Sequence, residues 1–152
     1  MSALPDGADE RYLAFVAGVE VQWIEVVLLH AEKQSVNASN DVEVDIGGGN
    51  ALAEDHFLSR FEAKASVTDE DGDDVAQLQV ALIIKFSSET APEEDLVERF
   101  SRSTGVMMAT PYLRENLSSL ARRTNVEGVL LPLVRMQGGV VQGDGEAAPT
   151  RE

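Results

Sequence analysis

PYLRENLSSLARRT, residues 111–124, decides the fold. Leu113, Leu117, Leu120 and Ala121 fall at helical spacing and form one apolar stripe. Pro111 suits a first helical turn, where its missing N–H is no loss, and Thr110 is placed to cap it. Arg122 and Arg123 sit where positive charge suits the helix dipole, and Asn125 is a stop. Such a one-sided helix needs a surface to cover, and the chain ahead of it reads as a sheet.

Asp41 to Ile46 alternates, with Val42, Val44 and Ile46 on one face; Gly47–Gly49 and Asn50 then read as a flexible loop. His56 to Thr68 alternates again, with Phe57, Ser59, Phe61, Ala63, Ala65 and Val67 together. DEDGDD, residues 69–74, is a turn centred on Asp71-Gly72, a strong hairpin signal. Val75 to Ser87 puts Ala76, Leu78, Val80, Leu82, Ile84 and Phe86 on one side, so these segments form an antiparallel meander. Val19 to Val36 reads as a long strand, apolar on both faces around Trp23 to Leu29, hence buried on both sides or bulged.

Around this sheet lie helices. Asp6 or Asp9 opens a short one running to Ala17, with Tyr12, Phe15, Val16 and Val19 on one face and Gly18 as its stop. Thr90-Ala-Pro-Glu93 reads as a capping box opening a helix to Ser103, with Leu96, Val97 and Phe100 inward and Asp95–Arg99 and Glu98–Arg102 as i,i+4 pairs. Thr104–Ala109 links it to the main helix. Val126 to Met136 is extended but holds Pro132, so it is at best an edge strand. The order predicts an α+β fold: a four-stranded antiparallel sheet with helices packed on one face. A lead-in (1–18), one domain (19–136) and a disordered, glycine-rich tail (137–152) complete the chain.

A formal net charge of -15 argues against nucleic acid, whose phosphates need clustered Lys and Arg. The chain has no cysteine, so neither disulfides nor thiolate metal sites arise. No signal-like start and no apolar run of ~18–20 residues is present, so the expected setting is the cytoplasm, without membrane insertion.

EEDLVERFSRSTGVMMATPYLRENLSSLARRTNVEGVLLPLVR resembles the C-terminal half of SecB-type chaperones. Pro111, Tyr112, Arg114 and Glu115 match the Pro-Tyr-x-Arg-Glu that opens the family's long helix, and Val129-Leu-Leu-Pro-Leu133 resembles its proline-containing stretch. The N-terminal helix and acidic approach to Leu96 look closest to solitary SecB-like chaperones of toxin–antitoxin systems. The resemblance implies an ATP-independent holdase, a homotetrameric dimer of dimers without catalysis or cofactor. It implies unfolded clients, such as a preprotein or an antitoxin, and handover to the SecA motor in export. Glu25 stands where the family carries a motor-docking acid, while Leu29 and Gln79 fall at two further docking places; the family's second C-terminal helix has no counterpart in MQGGVVQGDGEAAPTRE.

The candidate client-binding set is Trp23, Phe57, Phe61, Phe86, Met107, Met108, Tyr112, Leu130, Leu131 and Leu133. Methionine suits a surface that accepts many sequences, yet groove and core draw on the same residue types, and both roles stay open. Leu113, Leu117, Leu120, Arg114 and Glu115 are the expected oligomer interface, because one thin sheet cannot serve all three leucines. DEDGDD fails the EF-hand pattern, which would need an acid at Val67 and a glutamate at Leu78, so no metal site is expected. His30 and His56 stand in no motif. The competing class is an oligomeric adaptor built on the same fold.

Overall fold

The structure, a computed structural model, describes residues 7–126 and the backbone of Val134–Gln137 and Val140–Gly143. Helix α1 spans Gly7–Ala17, and strands β1 to β4 span Val19–Lys33, Asp41–Leu52, His56–Thr68 and Asp74–Ser88. Helix α2, Glu94–Phe100, runs through a π-helical turn, Ser101–Gly105, into α3, Val106–Arg123. Strands β5 (Val134–Gln137) and β6 (Val140–Gly143) form a separate antiparallel pair.

Strands β2, β3 and β4 are the expected meander, and β1 pairs antiparallel with β4, giving the order β1-β4-β3-β2. The alternation of β3 is reproduced: Phe57, Ser59, Phe61, Ala63, Ala65 and Val67 are all buried. Their partners on β4, Phe86, Ile84, Leu82, Val80, Leu78 and Ala76, are buried beside them. The helices cover this face. Leu96, Val97 and Phe100 of α2 and Leu113, Leu117, Leu120 and Ala121 of α3 join one core with Phe15 of α1. Phe100 meets Phe86 and Phe57 edge-on, with ring centroids 4.9 and 5.8 Å apart.

Four local expectations are corrected. The glycine run is no loop: β2 continues through Gly47–Asn50 to Leu52 in register with β3. Gly48 lies in phase with Val42, Val44 and Ile46, and a Cβ there would collide with the Arg60 carbonyl. Helix α2 begins at Glu94 behind Glu93, which makes no side-chain cap, rather than at a Thr90 box. No linker separates the last two helices: the Val106 N–H reaches back five residues to the Ser101 carbonyl. Glycine at 105 lets this turn come down on the sheet, since a Cβ there would sit 3.0 Å from Phe61 Cζ. Helix α3 therefore starts at Val106; Pro111 lies inside it, and the Thr110 hydroxyl donates to the Val106 carbonyl at 2.7 Å instead of capping.

The stop at Asn125 is as read. Its φ is 53°, and the Val126 and Asn125 N–H groups donate to the Ala121 and Arg122 carbonyls at 2.9 and 3.2 Å. Buried Val126 closes the end against the core. Within the stretch expected to be a disordered tail, Val140–Gly143 instead pairs with Val134–Gln137.

Candidate functional site

Strand β1 carries two bulges, at Gln22 and Val27, where its register against β4 shifts. The bulged alternative is thus the one realised, and burial on both faces is not. Val21, Trp23, Val26, Val27 and Leu29 are 37–49% exposed in the single chain. Val21, Val26 and Leu29 lie on the helix side of this edge strand and Trp23 on its outer face, and exposed apolar side chains in such number mark an interaction surface. Each bulge exchanges the faces of the strand. Glu25 pairs with Ile83 on the outer face, whereas Leu29 pairs with buried Val80 and so lies on the helix-covered side. The placing of Leu29 among outer-face docking positions is corrected by this register. Gln79 does lie on the outer face, where its amide donates to Glu62 Oε2 at 2.8 Å. That bond, ahead of nearby Lys64 and Arg60, holds the Glu62 carboxyl below its usual range.

At the opposite edge of the sheet an open groove of about 760 Å³ runs between β2 and the π-helical turn. Ile46, the glycine backbone and Leu52 form one side, Ser101, Arg102 and Val106 the other, with Phe61 at the floor. The two sides are tied together below. Ser59 and Ser101 hydroxyls both donate to Asn50 Oδ1 at 2.7 Å, and they stand 3.0 Å from each other. Both serines are buried, so this cluster satisfies polar groups that would otherwise be costly there. Glu98 and Arg102 pair at 2.7 Å along the rim.

The structure divides the candidate client residues. Trp23, Met107 and Tyr112 are exposed, Met107 by 66%, and Met108 is half-buried. Phe57, Phe61 and Phe86 are at most 5% exposed: they fill the interface between sheet and helices and are core in this conformation. Leu130, Leu131 and Leu133 lie outside the described residues. Leu113, Leu117 and Leu120 are buried inside one chain, so they are not left over for an oligomer interface; the layer of four long strands accommodates all three. Of the polar pair, Glu115 is exposed 3.8 Å from Arg122, while Arg114 is half-buried with its Nε lacking a hydrogen-bond partner. Sequence reasoning missed the groove wall at Gly47–Asn50, although unbroken phase from Val42 through Gly48 to Leu52 was the available signal.

Asp69, Asp71 and Asp73 bring carboxylate oxygens within 4.8 Å of one another. Asp69 Oδ1 already accepts the Asp71 and Asp73 N–H groups, and its Oδ2 accepts Asn37 Nδ2 at 2.9 Å. These bonds shape the turn, in which Gly72 takes φ 84°. Among the described residues no helix is long and apolar enough to cross a membrane.

No protein-family model matches the chain. No curated protein matches it either. Among solved structures, it is similar to the Mycobacterium tuberculosis Rv1957 SecB-like chaperone, solved in complex with a ChAD peptide from the Rv1956 HigA1 antitoxin. The match has a TM-score of 0.73 at 17% identity and covers 84% of this chain and 99% of that one. The four-stranded antiparallel sheet with its covering helices is therefore a SecB-like fold.

Proposed function

We propose that this chain is an ATP-independent holdase that binds unfolded or non-native polypeptide, an antitoxin or a preprotein, and keeps it soluble. The observation that carries the reading is the apolar surface the folded chain leaves open. It comprises Val21, Trp23, Val26, Val27 and Leu29 on β1, and Met107 and Tyr112 on α3. The groove at β2 adds exposed backbone, suited to an extended chain of any sequence. Similarity to a chaperone solved with an antitoxin peptide supports the same reading. Exposed Met107 and half-buried Met108 supply adaptable contacts, and Trp23 and Tyr112 aromatic ones. The chain acts as a homotetramer, part of the β1 patch being covered by other copies.

The test is suppression of aggregation of a chemically denatured protein diluted into buffer, with and without ATP and a chelator. Suppression at stoichiometric amounts, unaffected by either addition, is expected. An oligomeric adaptor would bury the same apolar residues between copies and give no suppression.

A further inference from the structure

Strand β2 is the edge of the four-stranded sheet, so one side of its backbone has no ladder partner. Gly47 and Gly49 carry no side chain on the outer face of that strand, where nothing among the described residues lies within 4 Å of their Cβ positions. The Cα atoms of β6 come within 8 Å of β2 and also of the π-helical turn. These two elements are the two sides of the groove. Yet β6 forms its ladder with β5 and is not a strand of the larger sheet. A short strand of the chain's own tail thus stands close to both sides of the groove, beside the sheet's edge, without being a strand of that sheet.

We propose that the β5–β6 hairpin is a displaceable cover of the groove, competing with client polypeptide for the backbone edge at Gly47–Asn50. The proposal rests on the groove being a client site. Three features argue for competition over a fixed shield. Val140 and Val141 in β6 and Val134 and Met136 in β5 give the hairpin the apolar, extended character of a client segment. A tethered segment is presented at on the order of millimolar concentration, enough to occupy a weak site without tight contacts. With β6 outside the four-stranded sheet, release breaks no ladder of that sheet.

The experiment uses the full chain carrying Val140→Pro and Val141→Pro together. Neighbouring N–H groups of a strand point to opposite edges, so this pair removes one donor from each side of β6. The probe is a reduced, carboxymethylated globular protein, which stays unfolded. Its dissociation constant should fall about fivefold in the variant, as for a cover closed ~80% of the time. Independently of any client, the amides of Gly47–Asn50 should exchange with solvent faster in the variant, while those of β3 and β4 stay unchanged. Equal affinities with unchanged exchange would overturn the proposal. If neither protein binds the unfolded probe, the chaperone reading fails, and exchange at Gly47–Asn50 alone decides whether the hairpin covers the edge.

Discussion

Arg11 on α1 grips Asp95 on α2, with Nη1 2.8 Å from Oδ2, and its Nη2 reaches Glu93 at 2.7 Å. The expected Asp95–Arg99 pair is thereby replaced: Arg99 turns to Asp9 at 3.1 Å and lies over the Tyr12 ring, 4.0 Å from its centroid. These contacts fasten the rim of α1, while Phe15 anchors its middle against Phe57 and Phe100. Arg11→Ala should loosen α1 locally, seen as faster amide exchange over Gly7–Ala17 with little change in global stability, because exposed ion pairs are screened. Phe15→Ala should cost about 3–4 kcal/mol in denaturant unfolding, since it empties a packed aromatic site.

Gly48 and Gly49 are neighbours with opposite tolerance. A side chain at Gly48 meets the Arg60 carbonyl, whereas one at Gly49 meets open space. Gly48→Val should lower the unfolding temperature by several degrees, equivalent to roughly 1–3 kcal/mol of overpacking. Gly49→Val should leave stability unchanged or raise it, valine being a better strand former. Thermal unfolding of the two variants beside the parent checks the contrast.

Acid should weaken the β3–β4 turn. The Asn37 hydrogen bond, then the Asp73 and Asp71 N–H groups, hold the Asp69 carboxyl below the usual range. A carboxylate with a depressed folded pKa contributes stability above its unfolded value, about 3.9, and loses that contribution as pH falls through the folded value. Asp95, held down by Arg11, has the same sign. Unfolding midpoints should therefore drop below about pH 4, and Asp69→Asn should start less stable at neutral pH and show a shallower acid slope.

Assembly and client binding share the β1 patch in this proposal, so one substitution separates them. Val26→Asp puts a charge on the helix-side face of an edge strand and should shift light-scattering mass from tetramer towards monomer. Wild-type protein found as a monomer at micromolar concentration would remove the tetramer from the proposal. Hydrophobic-dye fluorescence on the folded chain should be high and should rise further in the variant, as Val21 and Leu29 become accessible.

Docking to an export motor is expected to be weak. Glu25 faces the outer side of the sheet, but its neighbours across the ladder are Ile83 and then Arg60, not further acids. A basic partner therefore meets too little complementary charge. Titration of the isolated SecA tail should show no salt-sensitive binding at micromolar concentration; tight binding would point to other acids of β1.

What was legible in the sequence follows from how many independent constraints each segment obeys. Strand β3 was read to its ends because thirteen residues alternate without a fault and both flanks carry turn residues. The α3 stripe and the Asn125 stop were legible for the same reason. The start of α3 was not. Proline is common in a first turn, and only the tertiary fit of Gly105 to Phe61 shows that the helix is already under way before Pro111. The groove was missed because three glycines look like a loop when local composition is weighed, whereas the partner strand holds them extended. The aromatics were ambiguous for a deeper cause: the sequence records hydrophobicity, and only packing separates Phe57 from Trp23.

The bulge at Val27 works like a frameshift written in space. Between the two bulges, from Trp23 to Val26, even positions face the helices; beyond Val27 odd positions do, so that Glu25 and Leu29, four residues apart, look in opposite directions. Removing that single residue would leave Glu25 opposite Ile83, Val26 opposite Leu82, Leu28 opposite Ala81 and Leu29 opposite Val80, an unbroken ladder in which every remaining side chain keeps its face. A one-codon deletion at the bulge would thus be absorbed, whereas one within a regular stretch of β1 would turn the residues on one side of it to the opposite face. Among homologous chains, length in this strand is then as informative a character as any residue within it.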